Sequence, residues 1–294
     1  MIKEIIDKLV ALLAVSALLA SCSESELWQN PQTEARDGYI MLNFKTEIPA
    51  MQEVVTRAVD PDGGGVQDMT LFCFDSYGLF ISTVKAGVTV QKPGPGEMEG
   101  TFKPEVPENT RTIHFLANQN MDEFKEDSFR NKSESEVMAV LEGSSGRMIY
   151  WGRFACDAGN DSNIAEQMAT SGNSVKLIRN HARISVDNPD NNGHIVITGF
   201  AVCNTNAFGT VAPHHPKKGF DFTWPSSDDP FVTLPVNDAK MSDITDVTSS
   251  MNQYVFECEN SADAPVSVIL RGHLPDQDEE KYYRVLLVDD KGEQ

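Results

Sequence analysis

The stretch that decides the fold is MTLFCFDSYGLFISTV, residues 69–84. Residues 69–74 are a short apolar run rich in aromatic side chains, which is typical of a buried strand. Residues 75–78 (DSYG) are turn-forming types, and the apolar residues that follow return as a second strand. The whole stretch therefore predicts a β-hairpin.

Short strands separated by turns continue on both sides of this hairpin. Turn residues recur about every ten positions, a spacing that favours antiparallel β-sandwiches over a helical or parallel fold. We predict an all-β fold. Beyond the hairpin, its strands are predicted at 39–48, 100–104, 112–117, 148–154, 175–178, 182–186, 194–202, 254–257, 266–270 and 282–288.

The first of these strands, 39–48, carries the clearest alternation. Its apolar residues Ile40, Leu42, Phe44 and Ile48 fall on one face, and polar residues alternate with them on the other. Period-two alternation indicates a strand with one buried face. A loop containing prolines and a run of three glycines follows it, before the hairpin begins.

One short helix is predicted in the first half of the chain. Ser133 and Glu136 have the spacing of a capping box, an apolar stripe follows, and Gly143 is placed to end the helix. The polar, Ser/Asn/Gly-rich residues 157–173 are predicted to be a domain junction. We therefore predict an N-terminal sandwich at 38–172 and a C-terminal sandwich at 173–294.

The C-terminal sandwich is expected to be incomplete. Residues 283–288 read as a strong strand and residues 289–292 as a hairpin turn, yet the sequence stops at Gln294 before any returning strand. An open apolar sheet edge is normally avoided. We expect either a truncated chain or a strand supplied by another chain.

Charge excludes one class of partner. The 294 residues include 24 Lys and Arg against 44 Asp and Glu, a formal net charge of −20. Such a chain repels a phosphate backbone, so nucleic acid is excluded as a partner. With 40% hydrophobic residues, the chain can still build a folded core.

The N-terminus indicates export. Residues 9–20 (LVALLAVSALLA) form an apolar run that follows Lys3 and Lys8, too short to span a bilayer but suited to a signal peptide. The sequence LASC at 19–22 resembles a bacterial lipobox. We predict a lipoprotein signal peptide at 1–21, acylation of Cys22 by chains such as palmitate, and a flexible tether at 22–37. A plain signal peptide or a core helix is the alternative.

Chemistry-bearing motifs are missing from the sequence. No metalloprotease, nucleophile-elbow, phosphate-loop or dinucleotide-binding motif occurs, so we predict no catalytic residues and no cofactor. The four cysteines after Cys22 lack metal-ligand spacing, so no metal site is predicted. Cys73 and Cys203 lie in apolar runs and are expected to be buried free thiols, while an exported protein could also form a disulfide of unknown pairing.

Together these segments resemble the fimbrillin family, the type V pilus subunits of Gram-negative anaerobes. The resemblance lies in the lipobox, the tether, the first strand, the arginine-bearing loop and the order of the later strands. The segments that resemble the family are 69–78, 112–118 (TIHFLAN), 175–186 (VKLIRNHARISV), 256–260, 266–272 and 281–285.

The resemblance implies a fold and a function. The fold would be two Greek-key, transthyretin-like β-sandwich domains, and the function structural and adhesive, in a fimbrium on the cell surface. In the family, a surface trypsin-like protease cuts after a loop arginine, the first strand leaves, and a strand of another fimbrial subunit replaces it by donor-strand exchange. Arg57, followed by Ala58, is the predicted cleavage residue. Arg36 precedes the strand, so cutting there would release nothing useful.

The predicted partners follow from the same resemblance. They are other fimbrial subunits, the surface protease, the outer membrane through the lipid anchor, and host or bacterial surface ligands. The alternative is a monomeric surface lipoprotein that binds glycans or host proteins, with Tyr150, Trp151 and Trp224 as its aromatic platform. The pilus hypothesis requires strand 39–48 to lie paired within the first domain.

Overall fold

The computed structural model describes most of the chain after the N-terminal segment. Contacts group the chain into two units, Met1–Asp37 and Gly38–Gln294, and the description below concerns the second. The predicted residues Cys22, Ile48, Arg57 and Ala58 lie outside the described residues. The described ranges are 35–47, 66–93, 98–122, 124–144, 148–186, 195–214, 231–238, 245–246 and 252–287.

Strands dominate the fold, as the sequence predicts. Bulges interrupt the register of several pairs, for example between Cys73 and Phe74. In chain order the strands are β1 Tyr39–Met41, β2 Phe44–Glu47, β3 Met69–Phe74, β4 Phe80–Ala86, β5 Val88–Pro93, β6 Met98–Phe102, β7 Glu105–Pro107, β8 Thr112–Ala117, β9 Glu142–Ser144, β10 Tyr150–Ala155, β11 Ser174–Lys176, β12 Ile178–Arg179, β13 His181–Ser185, β14 Val196–Cys203, β15 Phe208–Thr210, β16 Thr245–Asp246, β17 Asn252–Phe256, β18 Ser267–His273 and β19 Lys281–Leu286.

Two short α-helices are described, where the sequence predicts one. Helix α1, Glu134–Ala139, begins with the predicted Ser133–Glu136 capping box, but it ends before Gly143, which lies in β9 instead. Helix α2, Ile164–Thr170, lies inside the segment predicted to be a polar junction. It too has a capping box, formed by Asn163 and Glu166. A 3₁₀ helix spans Glu126–Phe129, and no helix among the described residues is long and apolar enough to cross a membrane.

The N-terminal sandwich packs a five-stranded sheet, in the order β12-β10-β8-β3-β4, on a four-stranded sheet in the order β11-β2-β6-β5. The core between them includes Phe44, Leu71, Phe102 and Phe115, all fully buried. All pairs in these sheets are antiparallel except β11 with β2, which is parallel. The predicted hairpin is confirmed as β3 and β4.

A second apolar cluster covers the opposite face of the five-stranded sheet. It holds Phe72 and Trp151 from the sheet, Phe129 from the 3₁₀ helix and Val137 from α1. Strands β3 and β8 are therefore buried on both faces, which explains their continuous apolar runs.

The C-terminal sandwich is smaller among the described residues. A four-stranded sheet in the order β16-β14-β18-β19 faces the two-stranded pair β13–β17, with Phe200 and Val268 in its core. Strand β19 lies at the sheet edge and is exposed along its length. Strands β11 and β12, just beyond the predicted boundary at 172/173, add to the two sheets of the N-terminal sandwich. The domain boundary itself stays a prediction.

The cysteines of the described residues are free thiols. Cys73 and Cys203 are buried, as predicted, and Cys156 and Cys258 are partly buried. Burial raises the pKa of the Cys73 thiol to about 12, which keeps it protonated and unreactive.

Candidate functional site: the first strand and its groove

The candidate site is the position of the first strand within the N-terminal sandwich. Strand β2 is an interior strand of the four-stranded sheet, with β6 on one side and β11 on the other. It pairs antiparallel with β6, where Phe44 is opposite Phe102. It pairs parallel with β11, where Thr46 is opposite Val175. The prediction that this strand lies paired within the first domain is confirmed.

Backbone hydrogen bonds hold the strand on both sides. The Lys45 amide donates to the Asn173 carbonyl at 2.8 Å, and the Leu177 amide donates to the Glu47 carbonyl at 2.8 Å. Toward its N-terminus the segment continues as β1, which pairs with β7. The Leu42 amide donates to the Pro104 carbonyl at 2.9 Å in the gap between β1 and β2. The predicted single strand 39–48 is therefore two strands with a break at 42–43.

The buried face of the segment is apolar, as the alternation predicts. Leu42 and Phe44 are fully buried, and Ile40 packs against the core from a partly buried position. The Phe44 ring stacks on Phe102 with centroids 5.3 Å apart and meets Phe115 edge-on at 5.0 Å. Thr46, two residues after Phe44 on the same face, is also fully buried.

The walls of this position form a groove, which we define as β6, β11 and the core residues that contact β2. Because β2 lies between two strands, its departure would unpair backbone groups on both β6 and β11. It would also uncover the aromatic side chains of Phe102 and Phe115. In β-augmentation generally, an extended segment pairs with an exposed strand edge, main-chain hydrogen bonds give the affinity, and side-chain pockets give the specificity.

The other predicted residues of this site are not placed by the structure. Ile48, Arg57 and Ala58 belong to the segment 48–65 between β2 and the hairpin, outside the described residues. Cys22 lies in the undescribed N-terminal segment. Their roles stay predictions.

The aromatic platform of the alternative hypothesis is not supported. Tyr150 and Trp151 lie in the central part of the five-stranded sheet and are fully buried, one on each face. Neither ring can meet a glycan on the surface. Trp224 lies outside the described residues.

Sequence reasoning missed a buried polar network on the far face of the five-stranded sheet. Glu134 of α1 accepts a two-pronged hydrogen bond from Arg153 of β10, at 2.6 Å from Nε and 3.0 Å from Nη2. His114 Nε2 lies 2.7 Å from the same carboxylate. The Trp151 indole N–H donates to His114 Nδ1 at 3.2 Å. His114 is thus a neutral ring that accepts from Trp151 and donates to Glu134.

Burial and charge fix the protonation states of this network. Burial alone would raise the pKa of the Glu134 carboxyl, but the hydrogen bonds from His114 and Arg153 and the positive charge of Arg153 outweigh this desolvation and lower the pKa to about 2. Burial lowers the pKa of His114 below its usual value. The network fastens α1 to the sheet. The sequence feature that could have indicated this network is the presence of His114 and Arg153 inside apolar strands, because a buried polar or charged side chain needs a hydrogen-bond partner.

We expect acid to destabilise this network. Below pH 6.5 the unfolded chain protonates His114 more readily than the folded chain does, and below pH 4.5 the same holds for Glu134. Both groups bind more protons in the unfolded state, so stability falls as the pH falls. Glu134 alone contributes roughly 3 kcal/mol, lost between about pH 4.5 and pH 2. Urea unfolding at pH 7, 5 and 3 measures the loss.

A matched variant separates this loss from general charge effects. The overall charge of −20 also changes with pH, and its neutralisation acts in the opposite direction. The double variant His114→Gln/Glu134→Gln should therefore lose less stability than the wild type between pH 7 and pH 3. Equal losses in the two proteins would contradict the assignment.

Comparison with known proteins identifies the fold. At the level of sequence, no protein-family model and no curated protein matches this chain. Among solved structures, the chain is similar to the tip fimbrial protein Mfa3 of Porphyromonas gingivalis, with a TM-score of 0.54, 13% identity, and coverage of 86% of this chain and 83% of that one. This chain has a fimbrillin-type fold.

The chain is also similar to a second solved fimbrial protein. A fimbrial assembly protein of Parabacteroides distasonis matches with a TM-score of 0.44 and 14% identity, covering 84% of this chain and 86% of that one. The predicted fold class of this chain, an all-β fold of sandwich domains, is confirmed. Both of these neighbours are described as fimbrial proteins.

Proposed function

We propose that this chain is a precursor of a fimbrial subunit with a structural and adhesive role at the cell surface. Its partners would be other fimbrial subunits and, through them, host or bacterial surface ligands. The observation that carries the proposal is the interior position of β2, bonded on both sides and buried on one face. In strand exchange, a strand that lies between two neighbouring strands is replaced by a strand of another subunit, and β2 is the strand that would be replaced here.

Cleavage after Arg57 would convert the strand into a removable segment. The 18 undescribed residues of 48–65 are the direct covalent link from β2 to the rest of the sandwich. Once this link is cut by a trypsin-like protease, residues before Ala58 are held only by hydrogen bonds and packing. Their loss would open the groove for a strand of another subunit, which would restore the hydrogen bonds of both β6 and β11.

Limited digestion of the purified full chain tests this proposal. Trypsin should cut the wild type at Arg57 and leave a protected product that starts at Ala58, as identified by mass spectrometry. The variant Arg57→Gln should keep its N-terminal segment linked, while Arg36→Gln should be cut at Arg57 like the wild type. An intact segment 48–65 in the wild type under these conditions would contradict the predicted cleavage.

A labelled peptide then tests strand exchange itself. The peptide GYIMLNFKTEI, residues 38–48, should bind the digested chain and not the uncut chain, because only the first has an open groove. A control peptide with aspartate at the positions of Leu42 and Phe44 should fail, since charge cannot enter the buried pockets. Equal binding of both peptides, or none to the digested chain, would overturn the strand-exchange step.

Lipidation of Cys22 would anchor the precursor to the outer membrane. The support is the lipobox-like sequence at 19–22, which follows an apolar run suited to export. In a Gram-negative host, the wild type should fractionate with membranes and carry acyl groups on Cys22. The variant Cys22→Ser should be unacylated and leave the membrane fraction. Acylation of Cys22→Ser to the wild-type extent would exclude Cys22 as the anchor.

A further inference from the structure

Strand β19 is an open edge of the C-terminal sandwich. It pairs with β18 on one side, and no described strand pairs with its other side. All six of its residues, Lys281–Leu286, are exposed. An edge strand presents unpaired N–H and C=O groups to any extended segment, and proteins usually protect it with a bulge, a proline or charges. Strand β19 keeps an unbroken register with β18 and contains no proline.

A row of apolar side chains runs along the core-facing side of β19. Tyr283 is opposite Leu270 of β18, and Val285 is opposite Val268. Since Leu270 and Val268 belong to the core cluster of this sandwich and directly opposite residues share a face, Tyr283 and Val285 lie on the core side. Leu287, two positions later, continues the row. These three side chains are nevertheless 41%, 44% and 36% exposed.

The facing layer is too narrow to cover this row. Among the described strands, the pair β13–β17 faces a sheet of four strands. Its side chains pack with those of β14 and β18, as Ile184 and Val255 do in the core cluster. The row on β19 therefore stays accessible. Contiguous apolar surface of this kind marks a site of protein association.

The two cations of the strand do not protect its free edge. Arg284 Nε donates a hydrogen bond to Ser267 Oγ of β18 at 3.1 Å, which draws the guanidinium back over its own sheet. Lys281 is at the first position of the strand, and its Nζ lies 4.0 Å from the Glu279 carboxylate. The remaining residues of the edge are aromatic or aliphatic. The edge is therefore open to another apolar strand.

The strand is complementary to an antiparallel copy of itself. When Val285 lies opposite its own copy, Tyr283 of each chain lies opposite Leu287 of the other. Apolar side chains then meet at all three positions of the row, which is favourable for directly opposite residues. A register centred on Arg284 would place two guanidinium groups opposite each other, and like charges in that position are destabilising.

The acidic residues before the strand select the antiparallel direction. Asp276, Asp278, Glu279 and Glu280 precede β19 and are exposed. Parallel copies would place the two acidic sets side by side. In the antiparallel register, ten residue positions separate the two copies of Glu280, which is roughly 34 Å along the strands. This distance is well beyond the screening length of about 10 Å at 0.1 M salt, so the two sets barely repel each other.

We propose that two copies of this chain pair edge to edge through β19, antiparallel and with Val285 at the two-fold axis. The interface is isologous and joins two four-stranded sheets into one continuous sheet. A single pair of strands buries less area than a standard interface of about 1,600 Å², so the dissociation constant should be on the order of 100 μM. Strand β19 belongs to a different sheet from β2, so this pairing does not depend on cleavage or strand exchange.

Sedimentation of the full, uncut chain over a range of concentrations tests the proposal. The average mass should rise from that of one chain toward that of two and no further, because an isologous contact closes. High salt should strengthen the association, since it screens the repulsion between two chains of net charge −20. Val285→Lys sets two ammonium groups opposite each other and should weaken association at least about tenfold. Tyr77→Lys, at an exposed turn of the N-terminal sandwich, is the control and should associate like the wild type.

Cysteine cross-linking tests the register. Val285→Cys should form a disulfide between two chains on mild oxidation, because self-opposed residues of antiparallel strands have Cα atoms about 5 Å apart. Tyr283→Cys is exposed to a similar extent but lies about 14 Å from its own copy, so it should not cross-link. The double variant Tyr283→Cys/Leu287→Cys should cross-link again. Mass spectrometry of the linked peptides, with the oxidised wild type beside them, distinguishes these bonds from any through the native cysteines.

Three results would overturn the proposal. They are a mass of one chain at every concentration and salt, association that Val285→Lys leaves unchanged, and equal cross-linking of Val285→Cys and Tyr283→Cys. The first would assign the edge to a strand of a different protein, and the second would place the contact elsewhere on the chain. Because uncut chain is used throughout, each outcome can be distinguished from failure of the cleavage and peptide experiments.

Discussion

Replacing Phe44 by alanine should lower the free energy of unfolding by about 3–5 kcal/mol, as is typical for a fully buried phenylalanine. Phe44 is fully buried, and its ring contacts both Phe102 and Phe115. The variant leaves a cavity in the core and removes the main anchor of β2 in its groove. Urea unfolding measures the global loss, and hydrogen exchange at residues 44–47 measures the local one.

Two control variants separate the local effect from the global one. Phe129→Ala removes a ring of similar burial from the opposite face of the five-stranded sheet, so it should destabilise the protein without selectively exposing β2. Tyr77→Ala, at a side chain 86% exposed, should change stability by less than about 0.5 kcal/mol. If Phe44→Ala and Phe129→Ala increase exchange in β2 equally at matched stability, Phe44 is not the anchor of the strand.

Local sequence patterns predicted most of the N-terminal sandwich because its strands are short and are separated by turn-forming residues. The hairpin of β3 and β4, strand β8 and the start of α1 are all determined by neighbouring residues. Helix α2 was missed because Ser, Asn and Gly dominate its surroundings. Its buried face is only Ile164, Gln167 and Met168, too small a set to show a helical period.

The candidate site was predictable only in part, for a physical reason. Alternation at Ile40, Leu42 and Phe44 indicates a buried face but not which strands lie beside it. The parallel pairing with β11 joins residues more than 120 positions apart, and no local signal encodes it. The break between β1 and β2 was also hidden, because the alternation of buried side chains continues through it.

The buried network of His114, Glu134 and Arg153 illustrates the same limit. Each residue stands alone in its own segment, and only the fold brings them within hydrogen-bond distance. A charged residue in a buried strand indicates that a hydrogen-bonding or oppositely charged partner lies nearby. The identity of that partner depends on where α1 packs, which is a tertiary property.

Replacing Arg153 by methionine should cost about 3 kcal/mol of stability at pH 7, because it leaves the Glu134 carboxylate without its cationic partner. The Arg153 and Glu134 side chains are only 5% and 14% exposed, so water replaces little of the lost interaction. The remaining hydrogen bond from neutral His114 cannot neutralise the charge. Urea unfolding checks the loss, and the pKa of Glu134 should rise, so that stability recovers partly below pH 5.

The double variant Arg153→Met/Glu134→Met decides whether the cost comes from the unpaired charge or from lost packing. If the unpaired charge is responsible, removing the carboxylate as well should return a large part of the lost stability, since a buried ion pair and an apolar pair of similar volume are often nearly equal in energy. A double variant as unstable as Arg153→Met would instead show that the arginine stem packs against the sheet. Packing of the Arg153 side chain, and not its charge, would then hold α1 against the sheet.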